Sequence, residues 1–404
     1  MRAELPPDTH PARWRTLARL AAAVLLGMSP WFAASAVAPR LQTLWALTAG
    51  EAAWLTSIVQ LGFVAGTAAS ALLNLADIVP AARLFAWSAL LASSANTLLL
   101  TADGLESALA WRFLTGVALA GVYPPAMKMV ATWFLARRGL AVGSVVGALT
   151  IGKALPYLVT AIPGASLAAV ILATSGGALT AAALVARGYV DGPYPFPARP
   201  FSWGLVGEVV RQPRWRLATG GYLGHMWELY AAWTWLPVFL GASFAAAGPP
   251  TAAAGAVGFA ALAVGGIGCL WGGVMADRYG RGWLVSVALA ASGACALLIG
   301  ATFGRAPWLT ALVALLWGFF VIADSAQFSV LVTESVPPHA VGTALTLQTS
   351  LGFLLTTASV QLMPQLAEAI GWRWAFVALA VGPALGLVSI RQLGRLMTPR
   401  AVAP

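Results

Sequence analysis

Apolar stretches of membrane-spanning length alternate with short polar breaks along the whole chain. A helix needs roughly 20 apolar residues to cross the hydrocarbon core of a bilayer, and these stretches are long enough. Charged residues, prolines and glycines mark the breaks and predict twelve membrane-spanning helices, which we number as spans 1 to 12. The predicted limits are 16–38, 52–73, 82–102, 108–133, 139–161, 165–187, 217–241, 253–276, 283–304, 308–332, 341–363 and 371–392.

The longest polar interval runs from Gly188 to Arg216 and divides the spans into two sets of six. It is rich in proline and arginine, which is typical of a linker between two helical bundles. We therefore predict an N-terminal six-helix bundle over 1–187, a cytoplasmic linker over 188–216 and a C-terminal six-helix bundle over 217–404. Within the linker, the segment from Phe201 to Val210 predicts a short helix lying in the membrane interface.

The two halves also carry a repeated turn. Leu75-Ala76-Asp77 follows span 2, and Met275-Ala276-Asp277 follows span 8, 200 residues later. A repeat at half the chain length, together with six spans on each side of a linker, is typical of a duplicated transporter. The predicted fold class is an all-α membrane protein with twelve transmembrane helices in two pseudo-symmetric six-helix bundles.

The composition indicates a chain surrounded by lipid rather than by water. Of the 404 residues, 60% are hydrophobic and 9% are charged, whereas soluble domains carry about 25% charged residues. Cys269 and Cys295 lie in apolar stretches, and the three histidines lack the spacing of metal ligands. There is no phosphate-binding P-loop and no GxSxG nucleophile motif. We therefore predict no cofactor, no metal site and no enzymatic activity.

Basic residues give the chain a formal net charge of +10, which by itself would also fit a nucleic-acid partner. If the N-terminus lies in the cytoplasm, however, most arginines fall on the inner side, and this bias is the one that orients membrane proteins. Arg40, Arg112, Arg305 and Arg373 then fall at or near the outside. We predict a multi-pass protein of the plasma (inner) membrane, with both termini cytoplasmic, no nucleic-acid partner and a monomeric state.

The N-terminus has one alternative interpretation. Arginines precede the first apolar stretch, and Ala34-Ser35-Ala36 is similar to a signal-peptidase site, so a cleaved signal peptide fits the same pattern. We favour an uncleaved first span because similar apolar spans continue to residue 390.

The turn between spans 8 and 9 has the sequence Gly273-x-x-x-Asp277-Arg278-x-Gly280-Arg281. This pattern resembles the signature turn of major facilitator superfamily (MFS) transporters, and a position after span 8 is one of the two that the family uses. The resemblance covers residues 16 to 392. It implies two bundles around a central cavity that opens alternately to each side, with spans 1, 4, 7 and 10 lining the cavity.

The resemblance further implies that these turn residues act in gating. An Asp beside a helix N-terminus gains roughly 0.3–1 kcal/mol, Gly280 permits a tight backbone, and Arg278 and Arg281 can bridge to the opposite bundle or to anionic lipid. The simpler alternative is that the charges only anchor the loop on the inner side. In the first half Asp77 remains, but Ile78, Pro80 and Ala81 stand where the motif has basic and glycine residues.

Two further segments bear on the resemblance. In span 4, Arg112-x-x-x-Gly116 is similar to a motif of the family. Span 5 reads Gly143-x-x-x-Gly147-x-x-x-x-Gly152 and lacks the Gly-Pro pair that marks the family's drug antiporters.

Ionisable residues within spans cost about 2.5–3.5 kcal/mol on insertion scales, so each is a candidate functional residue. The candidates for substrate binding or proton coupling are Lys128, Lys153, His225, Glu228 and Asp324, with Arg112 nearer the outer end of span 4.

Each of the two lysines has two alternative interpretations. Lys128 lies one turn from the cytoplasmic end of span 4, where it either snorkels to the interface or contacts an anionic substrate or Asp324. Lys153 lies roughly 20 Å along span 5 and needs either a buried salt bridge or a substrate contact. Asp324 belongs to a polar half of span 10 with Gln327 and two serines, which predicts the lining of a water-filled cavity.

His225 and Glu228 are spaced three residues apart on span 7 and therefore share a helix face. Such a pair either exchanges a proton during transport or forms a static hydrogen-bonded contact. The functional hypothesis is a secondary active transporter, coupled to protons, that takes up a small organic or inorganic anion. The alternatives are a proton-driven exporter of amphipathic drug-like compounds and, more remotely, a non-transporting membrane sensor or a membrane enzyme acting on lipid-linked substrates.

Overall fold

The structure is a computed structural model that describes residues 8–73, 75–135, 137–194, 201–248 and 251–397. Throughout these residues the chain is helical or in turns, with no strand. Helices of membrane-spanning length and apolar composition cover eleven of the predicted spans. In order they are Arg13–Ala36, Ala49–Leu72, Ala81–Thr101, Leu105–Ala131, Gly139–Thr160, Leu167–Gly188, Pro213–Ala247, Ala253–Tyr279, Arg281–Thr302, Pro307–Glu334 and, as span 12, Trp372–Met397.

Span 11 corresponds to the helix Val341–Ile370, which is 30 residues long. Its threonines, serines and glutamines make it less apolar than the other spans, and several of them, such as Gln348 and Thr356, are buried inside the protein rather than facing lipid. The remaining helices are short connections: Ala38–Trp45, Leu75–Ile78, Trp203–Arg211 and Pro338–Ala340. The helix Trp203–Arg211 occupies the linker segment where an interfacial helix was predicted.

Local sequence explains where several spans begin and end. Span 2 starts at a capping box in which the Thr48 side chain accepts from the Glu51 backbone N–H and the Glu51 carboxylate accepts from the Thr48 N–H. Span 6 starts after Ser166, whose hydroxyl accepts from the N–H of Ala169. Span 7 ends at Gly248, which has a φ of +95° that favours glycine.

Spans 4 and 10 are each interrupted. Span 4 divides into Leu105–Leu119 and Tyr123–Ala131, and span 10 divides at Asp324 into Pro307–Ala323 and Ser325–Glu334. In span 4 the break precedes two prolines, which fit the first turn of a helix because they lack an N–H. The breaks lie close to the middle of the two spans.

The two halves repeat each other closely. Ala81–Leu98 in the first half and Arg281–Leu298 in the second are offset by 200 residues, and a 3-10 turn follows each of them. The interruptions of spans 4 and 10 also correspond. This agreement in helix bounds supports the internal duplication that the two Asp-containing turns predicted.

Both ends of the described chain lie on one side of the protein, which we call the terminal face. There the Asp8 carboxylate accepts from the backbone N–H groups of Leu135 and Arg137 at 2.8 and 2.7 Å, and Arg214 donates to the carbonyl of Leu396. We call the opposite side the far face. Its loops include Arg40, which donates to the carbonyl of Ala165.

Spans 5 and 8 form the most extensive contact between the halves. Glycines permit the approach: a Cβ on Gly147 would lie 2.8 Å from the carbonyl oxygen of Gly266, and a Cβ on Gly143 would lie 3.4 Å from that of Cys269. The glycine series that distinguishes span 5 in sequence therefore faces span 8 and lets the two backbones touch.

Candidate functional site

A cluster of aromatic rings joins the two bundles near the middle of the spans. Trp31 of span 1 lies 5.2 Å from Phe63 of span 2, 5.7 Å from Tyr230 of span 7 and 5.7 Å from Phe353 of span 11, measured between ring centroids. Trp233 lies 5.6 Å from Tyr230. We call these five residues the interface aromatic cluster, and all of them are buried.

Lys153 points its ammonium group into this cluster. The Nζ atom lies 3.9 Å from the ring centroid of Trp31, 4.7 Å from that of Tyr230 and 5.6 Å from that of Trp233, and it donates a 2.5 Å hydrogen bond to the Tyr230 hydroxyl. The side chain is only 3% exposed. Within the described part of the chain, no carboxylate lies within ion-pair distance of it, so the predicted salt bridge is not formed there.

Several buried N–H and O–H groups around this region have no hydrogen-bond partner in the described residues. They include the indole N–H groups of Trp31 and Trp233 and the Tyr157 hydroxyl, which belongs to the residue one turn beyond Lys153. The amide nitrogens of Gln60 and Gln348 are also unpaired. Because buried donors are normally satisfied, this group of donors is suited to a ligand rich in acceptor atoms.

Hydrogen bonds between spans 2 and 11 close the interface toward the far face. Thr356 donates to the Gln60 side-chain oxygen at 2.6 Å, and the Gln361 amide donates to the Ser57 hydroxyl at 3.2 Å. Each bond joins one bundle to the other, so it must break if the bundles separate on this side.

His225 and Asp324 form a buried pair within the C-terminal bundle. The His225 Nδ1 atom lies 3.0 Å from the Asp324 Oδ1 atom, and both side chains are 1% exposed. The two atoms are within ion-pairing distance but are not aligned as a hydrogen bond, and His225 Nε2 also has no partner in the described residues. Asp324 sits at the interruption of span 10, while the rings of Tyr222 and Phe328 pack beside His225.

Glu228 forms a separate site one turn from His225. Its carboxylate accepts a 2.7 Å bond from the indole N–H of Trp317 and a 2.8 Å bond from the hydroxyl of Ser292, and so joins spans 7, 9 and 10. The sequence suggested a shared site for His225 and Glu228. The structure gives them different partners, because their neighbours on spans 9 and 10 determine the contacts.

Arg112 is fully buried, and among the described residues it donates only to groups of its own bundle. It bonds the carbonyl oxygens of Pro30 at 2.8 Å, Trp31 at 2.5 Å and Leu55 at 3.2 Å, and the side-chain oxygen of Asn96 at 3.4 Å. These contacts tie span 4 to spans 1, 2 and 3. This geometry favours a structural role for Arg112 over the substrate contact considered from sequence.

The turn after span 8 contains a single non-helical residue, Gly280. Its φ of +91° favours glycine, and the next helix begins at Arg281. The Asp277 carboxylate faces the first turn of span 5 in the other bundle, since a Cβ on Gly139 would lie 3.4 Å from its Oδ2 atom. Arg281 pairs with Glu334 of its own bundle at 2.7 Å rather than with the opposite bundle.

The remaining candidate residues lie toward the ends of their helices. Arg278 is exposed and its guanidinium lies 5.2 Å from the Tyr279 ring, while Gly273 packs against the carbonyl oxygen of Gly139. Lys128 is half-buried in the last turn of Tyr123–Ala131. The backbone of Asp77 belongs to the helix Leu75–Ile78, but its side chain lies outside the described residues.

The family resemblance implied a cavity lined by spans 1, 4, 7 and 10, whereas residues of spans 2, 5 and 11 contribute strongly to the interface. Phe63 and Phe353 are ordinary apolar residues in sequence, and a single glutamine within a span, such as Gln60, fits ordinary packing between helices. The one available signal was the polarity of span 11, which predicts a helix face turned away from lipid.

Helical spans in two related halves, with charged residues buried between and within the bundles, define a multi-pass membrane transporter. The family model of the Major Facilitator Superfamily matches residues 20–360. The chain therefore belongs to the Major Facilitator Superfamily. No curated protein sequence matches the chain.

Solved structures of similar fold agree with this assignment. A bacterial homolog of the human lysosomal transporter Spinster, in an inward-facing and occupied conformation, is similar with a TM-score of 0.70 and 14% identity, over 96% of this chain and 98% of that one. The nucleoside transporter NupG is similar with a TM-score of 0.71 and 13% identity, over 94% of this chain and 99% of that one. At these identities the likeness concerns the fold alone.

Proposed function

We propose that this protein is a proton-coupled transporter that takes up a small organic anion by alternating access. In this proposal the terminal face is cytoplasmic, as the arginine distribution predicts, and the protein works as a monomer in the plasma (inner) membrane. The observation that carries the proposal is Lys153, a buried ammonium group held among aromatic rings at the junction of the two bundles.

Lys153 is suited to anion binding because its present contacts compensate its charge only in part. Cation–π contacts contribute about 0.5–2 kcal/mol, whereas a charge within a membrane span costs about 2.5–3.5 kcal/mol or more. An anion would supply the missing countercharge. The unpaired N–H groups of Trp31 and Trp233 could donate to the same anion.

The surroundings of Lys153 favour an organic anion over an inorganic one. Trp31, Phe63, Tyr230 and Phe353 provide aromatic faces that would pack against a hydrocarbon portion of the substrate. Because Trp31 and Lys153 belong to one bundle and Tyr230 to the other, a bound anion would contact both. Its binding energy could then favour one arrangement of the bundles over another.

For proton coupling we propose the His225–Asp324 pair, with Glu228 as a second acidic group. The pair carries opposite charges when His225 is protonated, and its charge changes when either group gains or loses a proton. Tyr222 and Glu228 are the other polar groups of span 7 nearby. The position of Asp324 at the break in span 10 would let such a change alter the helix geometry.

The experiment that tests the proposal uses the purified protein in liposomes with an imposed pH gradient. A panel of monocarboxylates, dicarboxylates, inorganic anions, neutral solutes and cations is screened for substrate-dependent proton flux. We expect a small carboxylate with an apolar portion to move with protons. Transport of only neutral or cationic compounds would contradict the anion proposal.

Substitutions then separate the two sites. Lys153→Gln should abolish saturable binding of the anion, while Lys153→Arg, which keeps the charge, should retain part of it. Asp324→Asn should preserve substrate binding and exchange but remove proton-driven accumulation. Unchanged accumulation in Asp324→Asn would exclude this residue as the coupling site, and normal anion binding in Lys153→Gln would exclude Lys153.

A further inference from the structure

A groove with a volume of about 620 Å³ lies on the outside of the N-terminal bundle, between spans 3 and 6. It is separate from the interface aromatic cluster and opens toward the surrounding lipid. Its walls are apolar, with Trp87 70% exposed at the edge and Leu179 52% exposed opposite. Two arginines, Arg83 and Arg187, lie at the end of the groove nearer the terminal face.

In the described residues, the side-chain hydrogen bonds that join spans 3 and 6 lie in the far halves of the two helices. There, Asn96 donates to the Ile171 carbonyl, the Thr174 hydroxyl and the Ser175 hydroxyl at 2.9–3.2 Å, and Ser93 donates to the Ser175 carbonyl at 2.8 Å. Toward the terminal face, small residues such as alanines 82, 86, 182, 183 and 186 line the gap instead. Because these side chains are small, a gap remains between the two helices.

The positive charges at the mouth of the groove are not neutralised by its walls. Arg83 lies in the first turn of span 3 and Arg187 in the last turn of span 6, and both are exposed. A third cation is close, because the Arg19 guanidinium packs against the backbone of Gly188. Among the described residues, no acidic side chain lines the groove, and neither Arg83 nor Arg187 forms an ion pair.

We propose that this groove binds an anionic phospholipid. The phosphate would pair with Arg83 and Arg187 at the level of the headgroups, and an acyl chain would occupy the apolar gap beside Trp87 and Leu179. A charged site at headgroup level with an apolar gap beyond it matches the headgroup and acyl chain of an anionic lipid in the leaflet on the terminal face. A free phosphate would satisfy only the arginines, and a second copy of the chain would need acidic residues opposite them.

The second half of the protein offers a comparison. There Arg281 begins span 9 and Arg395 lies in the last turn of span 12, so the corresponding helix pair also carries cations. Arg281, however, is paired with the Glu334 carboxylate at 2.7 Å, whereas Arg83 and Arg187 form no ion pair with the described residues. The difference in pairing favours the N-terminal groove as the lipid site.

The test measures lipid retention by the purified full-length protein in native mass spectrometry, titrated with phosphatidylglycerol or phosphatidylcholine. We expect wild type to retain phosphatidylglycerol selectively. The double variant Arg83→Gln/Arg187→Gln should bind it roughly 30-fold more weakly, as expected for two basic residues near a membrane surface. The matched control Arg391→Gln/Arg395→Gln, which removes two exposed arginines from the terminal end of span 12, should bind like wild type.

A second variant tests the acyl-chain part of the site. Ala86→Trp fills the groove while keeping both arginines, and it should also lose selective retention. Wild-type affinity in either the double-arginine variant or the filled variant would overturn the proposal. So would full displacement of the lipid by soluble glycerol phosphate, or a mass showing a dimer that the double-arginine variant converts to a monomer.

Discussion

At the scale of single residues, two buried ionisable side chains join helices within their own bundles. Arg112 connects spans 1 to 4 through three carbonyl oxygens and Asn96, while Glu228 connects spans 7, 9 and 10 through Trp317 and Ser292. They are not related by the 200-residue repeat. Each half therefore has its own buried polar side chain that joins several helices. Both side chains should contribute to stability, because removing either would leave its buried partners without a hydrogen bond.

Removing Arg112 should destabilise the N-terminal bundle. Arg112→Lys keeps the charge but replaces a planar group having five donors by a compact ammonium, which cannot reach all four acceptors. We expect a lower apparent Tm in detergent for Arg112→Lys and a greater loss for Arg112→Ala. Arg305→Ala, at an exposed arginine, is the control. An unchanged Tm in Arg112→Ala would contradict the structural role.

Glu228 should respond differently to two substitutions. Glu228→Gln retains an oxygen that can accept from Trp317 or Ser292, whereas Glu228→Ala leaves both donors buried and unpaired. We expect Glu228→Ala to lose about 1–3 kcal/mol of stability relative to Glu228→Gln. Thermal unfolding of both variants in the same detergent measures this difference, and equal stability would show that the two donors find other partners.

At the scale of elements, glycines decide how closely spans 5 and 8 approach. Gly139, Gly143 and Gly147 recur at four-residue intervals on one face of span 5, opposite Cys269 and the glycines of span 8. The Asp277 carboxylate lies at the start of the same span, where helix N–H groups favour negative charge. The motif turn thus ends a continuous inter-bundle contact that begins deep within the membrane.

A larger residue at Gly147 should force these two spans apart. The side chain of Gly147→Leu would overlap the backbone of Gly266, and overpacking of this kind costs about 1–3 kcal/mol. We expect reduced thermal stability and loss of transport. Gly176→Leu is the matched control, because a Cβ on Gly176 would meet nothing within 4 Å. Wild-type behaviour of Gly147→Leu would show that the spans 5–8 contact is dispensable.

At the scale of the whole molecule, the two bundles meet along more than one line. Spans 5 and 8 touch through glycines, and spans 2 and 11 are joined by the Gln60–Thr356 bond at mid-span and the Ser57–Gln361 bond one turn closer to the far face. Between them lies Lys153 with its aromatic neighbours. Alternating access through this site requires the contacts between spans 2 and 11 to break, since they bridge the bundles directly.

Linking spans 2 and 11 should stop transport reversibly. In Ser57→Cys/Gln361→Cys, a short reducible crosslinker between the two thiols would hold the far face closed. We expect transport to cease on crosslinking and to return after reduction. The two single-cysteine variants, treated identically, control for effects of the reagent. Full transport by a quantitatively crosslinked protein would show that opening does not occur at this contact.

The sequence predicted the main features of the fold because membrane insertion is governed by local apolar length and charge. Twelve apolar stretches of spanning length and a repeated turn were sufficient to predict an all-α transporter in two related halves. The helix bounds that are offset by 200 residues agree with that prediction. The tight backbone at Gly280 was also predictable from the sequence, because the charged turn between spans 8 and 9 is short. In the structure Gly280 is the one residue between the two helices.

The partners of the buried charges were decided only by the tertiary structure. Spacing placed His225 and Glu228 on one helix face, but helices 60 to 100 residues away supplied Asp324 for the first and Ser292 and Trp317 for the second. Likewise, only the packing of spans 1, 5 and 7 brings Trp31 and Tyr230 to Lys153. Local sequence determines which segments enter the membrane, whereas the contacts of a side chain depend on distant helices that its own span does not encode.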